Sequence, residues 1–158
     1  MLMAKWFTGS GKEIDFDEII EQIRAHASNK GNVYLGTDSF LSKDRCTFST
    51  ALVLHGAEGQ RGGRYFIIRT HPEKGPYNAL VARITEETNR SVQMGLRLLQ
   101  ICPELKIEIH LDVSASDKRA GTSHFSDMLV GFAKGAGFET KIKPDAFAAA
   151  SIADKHSK

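Results

Sequence analysis

Three strand-like stretches follow one another before the first long helix, and their order constrains the fold more than any other feature. Residues 33–39, 46–55 and 64–70 are rich in β-branched and aromatic residues and are separated by polar turns. This succession favours an antiparallel meander. The helical pattern over 78–101 then leads to a strand at 106–113, which a helical crossover returns parallel to an earlier strand. The sequence therefore predicts a mixed α/β sheet.

The remaining elements complete this arrangement. Apolar residues at helical spacing predict an amphipathic helix over 15–28, and a second major helix over 125–136 precedes a short strand at 138–143. Pro144 is expected to open the last helix at its first turn. Residues 1–12 are interpreted as a loosely tied lead-in. The predicted order is one N-terminal helix and then β-β-β-α-β-α-β-α, in a five-stranded mixed sheet with helices on both faces.

Composition is typical of a single globular domain. A length of 158 residues fits one domain, so we assign residues 1–30 and residues 31–158 to the same unit. The net charge of +2 neither requires nor excludes a polyanionic partner. Cys46 and Cys102 match no zinc spacing and are interpreted as reduced thiols of a cytoplasmic protein. No run approaches the ~18 apolar residues of a membrane span, and residues 1–10 lack the apolar core of a signal peptide.

Two of the predicted strands end on a carboxylate. Asp38 follows a short apolar run and Asp112 ends the fourth strand, so parallel neighbours would bring both acids to one edge of the sheet. In the long helix, Glu86 falls opposite the apolar face and is expected to face water, whereas Glu87 falls on the flank of the buried stripe. Asp154 lies in the last helix. Each acid taken alone is more often a turn former or a solvated charge, so only their convergence is informative.

Convergence of four acids would require a cation, because like charges repel and raise one another's pKa. Mg²⁺ and Mn²⁺ prefer oxygen ligands and keep coordination positions for phosphate oxygens. Two such ions would activate a water molecule and stabilise the leaving oxygen of a phosphodiester. The acid set therefore indicates metal-dependent phosphodiester chemistry.

These features together resemble the ribonuclease H-like superfamily, and more specifically its YkuK-type branch of small bacterial proteins. The resemblance rests on the element order, on the position of the acids within it, and on short motifs that span nearly the whole chain. The motifs are Gly36-Thr37-Asp38-Ser39, Glu87 four residues before Ser91, Ile109-His110-Leu111-Asp112-Val113, Ile142-Lys143-Pro144, Ala149-Ala150 and Ala153-Asp154.

The resemblance implies an RNase H-like fold over residues 31–158 and a metal-dependent nuclease active on RNA, DNA or a hybrid. Carried over to this chain, it implies that Asp38, Glu87, Asp112 and Asp154 are the catalytic metal ligands for two Mg²⁺ or Mn²⁺ ions. Asp38 would bridge both ions, Glu87 and Asp112 would hold one, and Asp154 would help to hold the other.

Five further residues are candidates for substrate contacts. Ser39 follows the first acid directly, and His110 shares a strand face with the acid of the fourth strand. His110 is either a satisfied histidine in or near the core or a residue that orients a ligand. Lys118 and Arg119, in the loop after the fourth strand, and Lys143 could meet phosphates, although solvated charges are the plainer interpretation.

Two functions remain open at this stage. The first is a two-metal nuclease, and the alternative is a non-catalytic module that binds nucleic acid or protein on the same scaffold. The completeness of the acid set favours the nuclease, because a scaffold has no reason to keep four acids where they repel. A nucleotide-binding phosphotransferase is disfavoured, since the chain lacks a glycine-rich phosphate loop.

Overall fold

The computed structural model describes residues 4–114 and 122–157. The strands are β1 (Trp6–Thr8), β2 (Glu13–Ile14), β3 (Asn32–Leu41), β4 (Cys46–His55), β5 (Arg64–Thr70), β6 (Ile107–Ser114) and β7 (Glu139–Lys143). The helices are α1 (Phe16–Ser28), a short 3₁₀ turn (Gly75–Tyr77), α2 (Leu80–Ile101), α3 (Thr122–Gly135), a π-helical segment (Ala148–Ala153) and α4 (Asp154–Ser157). The last two are continuous, and we call residues 148–157 the C-terminal helix.

The strands form one mixed sheet in the order β2-β1-β5-β4-β3-β6-β7. β3, β4 and β5 make the predicted antiparallel meander, and β6 and β7 run parallel to β3 and β6 respectively. The mixed α/β sheet is therefore confirmed, with the meander and its parallel crossover in the expected positions. Five adjacent strands of this sheet, β5-β4-β3-β6-β7, are the five that the sequence predicts.

The prediction of five strands was nevertheless wrong, because the described residues form seven. The two additional strands come from the N-terminal stretch that was interpreted as a lead-in. β1 pairs antiparallel with β5, placing Trp6 opposite Ile68, and β2 pairs with β1. Trp6 is buried, and its ring stacks on Phe16 with centroids 5.9 Å apart. Burial of this aromatic side chain ties the N-terminal stretch to the domain.

Helices cover both faces of the sheet. Alternate side chains of β3 point to opposite faces, so Val33 and Leu35 join a large core with α1, α2 and α3. Tyr34 points the other way and packs in a smaller core with Ala148 and Ala153 of the C-terminal helix. The end of β3 therefore lies between elements on both faces, which allows acids from each to meet there.

The expected role of Pro144 was wrong. Lys143 and Pro144 are joined by a cis peptide, and the backbone N–H of Asp145 donates a hydrogen bond to the Ile142 carbonyl at 2.9 Å. This turn separates β7 from the C-terminal helix, whose π-helical segment begins at Ala148. Pro144 therefore lies in the connection before the helix instead of in its first turn.

Candidate metal centre

Asp38 and Asp112 lie at equivalent positions on two parallel strands. The described pairing of β3 with β6 ends at Gly36 and His110, and each acid follows two residues later on its strand. Because side chains alternate along a strand, the acids share the face of these two residues. β3 stays paired with β4 beyond this point, with Asp38 opposite Ser49. The two acids therefore lie side by side just beyond this pairing, as predicted, but neither strand ends on its acid, because β3 continues to Leu41 and β6 to Ser114.

Glu87 reaches the same edge from α2. The Ser39 hydroxyl donates a hydrogen bond to Glu87 Oε2 at 2.5 Å, and one turn further along the helix Ser91 Oγ lies 2.7 Å from Thr37 Oγ1. These two contacts join α2 to the residues on either side of the acid of β3. They set the rotation of the helix, so that Glu87 is 7 % exposed.

The three carboxylates form one compact group. Asp38, Glu87 and Asp112 each offer one oxygen, and these oxygens lie within 4.8 Å of one another. Asp38 is 7 % exposed. Glu86 was expected to face water, but its side chain is only 27 % exposed and pairs with Arg90 at 3.1 Å. The structure therefore brings Glu87, and not Glu86, to the acids at the strand ends.

Asp154 approaches the group from the C-terminal helix. Its side chain forms a hydrogen bond with Asp38, although it lies outside the compact set of three. Ser157 Oγ lies 3.4 Å from Asp38 Oδ2 and 3.0 Å from the Asp154 carbonyl. The end of the helix is thus held against the strand, and all four predicted acids lie at one sheet edge.

The electrostatics of the group favour a bound cation. Burial, and then hydrogen bonds with Asp112 and Asp154, raise the pKa of Asp38 to about 8. Burial raises the pKa of Glu87 well above its ordinary range, and the charge of Asp38 raises it further, against the lowering effect of the Ser39 hydroxyl. A divalent cation would remove this penalty, and an all-carboxylate oxygen set suits Mg²⁺ or Mn²⁺. The residues present therefore fit the metal ion that the sequence suggests.

Lys143 is already engaged with the group. Its Nζ lies 2.9 Å from Asp112 Oδ1, and both side chains are partly exposed. The lysine at the end of β7 thus neutralises one of the carboxylates. Ser39, the other candidate for a substrate contact at this edge, instead holds Glu87 by the hydrogen bond described above.

His110 lies in the interior, with both ring nitrogens in hydrogen bonds. Nε2 lies 2.8 Å from Glu108 Oε1, and Nδ1 accepts from the backbone N–H of Ala148 at 3.1 Å. Burial lowers its pKa, mainly by desolvation. The ring therefore connects β6 to the start of the C-terminal helix, so it can orient the segment that carries Asp154. Lys118 and Arg119 lie outside the described residues.

Thr37 and Ser91 appear in the sequence motifs, but sequence reasoning assigned no supporting role to their hydroxyls. Thr37 Oγ1 lies 2.9 Å from Thr50 Oγ1 as well as near Ser91, which makes a buried polar chain from β4 through β3 to α2. Ser157 was also missed. Serine and threonine are common in strands and at helix ends, so their spacing alone carries no signal that would have singled them out.

Comparison with known proteins agrees with this architecture. The family model for Ribonuclease H-like proteins matches residues 15–158, which is most of the chain, and the protein belongs to this family. It is also similar to the "Uncharacterized protein YkuK" of Bacillus subtilis (strain 168), with 27 % identity over 168 aligned residues, 94 % of this chain and 94 % of that protein. No solved structure gives a significant match. Within the described residues, no helix has the length and apolar character needed to cross a membrane.

Proposed function

We propose that the protein is a metal-dependent nuclease that hydrolyses phosphodiester bonds in RNA, DNA or a hybrid. The observation that carries this proposal is the group of three carboxylates, two of them buried, whose oxygens lie within 4.8 Å of one another at the carboxyl ends of β3 and β6. Such a group is costly to a fold unless it holds a cation. Membership of the Ribonuclease H-like family supports the same chemistry.

In this proposal Asp38, Glu87 and Asp112 hold the metal, and Asp154 completes a site for two ions. Bound Mg²⁺ or Mn²⁺ would supply Lewis acidity at the phosphate and a lowered pKa for the attacking water. The protein's own residues orient the ligands. Ser39 fixes the Glu87 carboxylate through its hydroxyl, and the Ser157 hydroxyl, which donates to Asp38, keeps the C-terminal helix and its Asp154 in reach.

Lys143 would change partner when the metal binds. In the structure its ammonium group neutralises Asp112, but that carboxylate would be needed by the cation. A released ammonium group at the rim of the site would be available for a phosphate oxygen of the substrate. The proposed role of Lys143 is therefore to hold a carboxylate before metal binding and to contact the backbone of the nucleic acid afterwards.

The test is a cleavage assay with end-labelled single-stranded RNA, single-stranded DNA and a hybrid duplex. Product should form with Mg²⁺ or Mn²⁺ and not in EDTA, and Asp38→Asn should abolish it. Glu21→Gln is the matched control, because it makes the same carboxylate-to-amide change at an exposed position of α1. Its activity should equal that of the wild type.

The competing function, a binding module without catalysis, makes the opposite prediction. Nucleic acid would then bind equally well in EDTA, and no product would form with either metal on any of the three substrates. That result, or full activity in the folded Asp38→Asn variant, would overturn the nuclease proposal.

A further inference from the structure

A notch opens on the α2 face of the sheet, close to the candidate metal centre. Its volume is about 280 Å³, and it lies between α2 and the strands β4 and β5. Ile68 and Met94 contribute apolar surface to it, while Arg90 and Arg97 contribute their guanidinium groups. We call this cavity the arginine notch.

Both arginines are held in place by aromatic rings. The guanidinium carbon of Arg90 lies 4.4 Å from the centre of the Phe48 ring, and its Nη1 donates a hydrogen bond to Thr70 Oγ1 at 2.5 Å. The guanidinium carbon of Arg97 lies 4.2 Å from the centre of the Phe16 ring. Cation–π contacts of this kind restrict long side chains that would otherwise be mobile. The notch therefore presents two cations that are ordered before any ligand arrives.

The notch carries an excess positive charge, which is that of Arg97. No carboxylate is among its described lining residues, where Asn89 and Gln93 add neutral donors. Glu86 pairs with Arg90 through Nε, but in the part of the chain that the structure describes no carboxylate forms an ion pair with Arg97. An anion with several acceptor oxygens is the complementary ligand.

The position of the notch relates it to the metal centre. Arg90 lies one helical turn beyond Glu87 on α2, and Thr50, which lines the notch, contacts the hydroxyl of Thr37 next to Asp38. The arginines are seven residues apart, or about 10 Å along the helix.

The positive charge has a definite end. Beyond Arg97 an adjoining cavity is lined by Glu13 and Asp15 as well as Lys5, and Lys5 is paired with Glu13 at 3.4 Å. In this cavity the charges of Glu13 and Asp15 offset those of Lys5 and Arg97, so it adds no net positive charge. A polyanion therefore gains no further attraction from the cavity beyond Arg97.

We infer that the arginine notch binds the phosphate backbone of a single nucleic-acid strand on its way to the metal centre. Arg90 and Arg97 contact phosphates, and an unpaired base lies on the apolar surface of Ile68 and Met94. A base within a duplex is stacked and paired, so it could not use that surface. The inference deepens the proposed nuclease function by naming the form of the substrate, but the binding itself needs neither metal nor cleavage.

The test measures the affinity of a fluorescein-labelled dT₁₂ or rU₁₂ strand by anisotropy in EDTA, with Arg97→Gln and Gln93→Glu variants. Gln93 is exposed and lies outside the ring contacts, so its acidic variant adds a repulsive charge without risk to the core. We expect each variant to weaken binding by about five- to tenfold. Arg97→Gln should also reduce the salt dependence of log K by about 0.7, as expected for one lost phosphate contact on a single strand. Arg61→Gln, in the exposed loop between β4 and β5, is the matched control and should bind like the wild type.

Three results would overturn the inference. The first is unchanged affinity for the single strand in both notch variants, and the second is an equal loss of affinity in Arg61→Gln. The third is a self-complementary duplex that binds as tightly as the single strand and is equally sensitive to Arg97→Gln. Because strand binding is measured in EDTA, a negative result would refute the single-strand inference without bearing on the nuclease proposal. Loss of cleavage in Asp38→Asn with normal strand binding would support both proposals, whereas a protein that never cleaves could still bind through the notch.

Discussion

Replacing the central acid of the candidate metal centre should stabilise the metal-free protein. Asp38 is 7 % exposed and lies within a group of carboxylates that repel it. Asparagine keeps the size of the side chain and can donate a hydrogen bond to a neighbouring carboxylate, but it carries no charge. Asp38→Asn should therefore remove a penalty that the fold accepts in the absence of a cation.

The size of this penalty follows from the pKa of Asp38, which burial and the neighbouring acids raise to about 8. In the unfolded chain the carboxyl loses its proton near pH 4, whereas the folded protein retains it until about pH 8. The wild type therefore loses stability as pH rises through this window, by up to about 1.4 kcal/mol per pH unit. At pH 7 the wild type has passed through about three pH units of this window, which corresponds to about 4 kcal/mol, and sharing of the proton among the acids lowers the expected penalty to roughly 2 to 3 kcal/mol.

The assay is urea unfolding in EDTA at pH 5, 6, 7 and 8 for the wild type, Asp38→Asn and the exposed control Glu21→Gln. The advantage of Asp38→Asn over the wild type should be small at pH 5 and should grow up to pH 8, while the control follows the wild type. Addition of Mg²⁺ should then stabilise the wild type and leave Asp38→Asn almost unchanged, because only an intact site gains from the ligand.

A different pattern would refute this reasoning. If Asp38→Asn were less stable than the wild type in EDTA, by the same amount at every pH, hydrogen bonds would outweigh repulsion at this position. The carboxylate group would then be a satisfied structural network, and the argument that it requires a cation would fail.

Three further substitutions test single contacts. Lys143→Met removes the ammonium group that competes with the metal for Asp112. Mg²⁺ should therefore bind about fivefold more tightly in calorimetry, which is equivalent to about 1 kcal/mol for a partly exposed pair. Weaker binding of Mg²⁺ would contradict this prediction. Gly95→Ala would place a Cβ 2.7 Å from the Phe138 ring, and urea unfolding should show a net loss of about 1 to 2 kcal/mol despite better helix propensity. His110→Phe removes both hydrogen bonds of the ring, so hydrogen exchange should accelerate in the C-terminal helix before the rest of the domain.

The meeting of the acids could be predicted from the sequence because it depends on periodicity. Acids in the carboxyl-terminal halves of two neighbouring parallel strands come to the same edge of the sheet, as Asp38 and Asp112 do. The position of each residue around the axis of α2 likewise distinguishes Glu87, which is 7 % exposed, from Glu86, whose side chain is 27 % exposed.

Other features have no periodic signal. β1 and β2 contain three and two residues, which is too short for alternation to distinguish a strand from a loop. The ion pair between Lys143 and Asp112 depends on where β7 ends relative to β6, and charge alone does not specify a partner. The role of His110 depends on a backbone N–H from the C-terminal helix, which is distant in sequence.

The two N-terminal strands, which the sequence did not predict, are connected to the arginine notch through one aromatic contact. β1 and β2 precede residues 15–158, the part that matches the family model, and Trp6 of β1 stacks on Phe16, whose ring also lies under Arg97. Phe16→Leu keeps apolar volume but removes the ring.

Binding of the labelled single strand should therefore weaken about two- to fivefold in Phe16→Leu, which is what a lost cation–π contact of about 0.5 to 1 kcal/mol would cause. Mg²⁺ affinity should stay at the wild-type value, because the carboxylates are positioned by β3, β6 and α2. An equal loss of metal and strand binding would mean that Phe16 supports the whole domain, and that the notch and the metal centre are not separable.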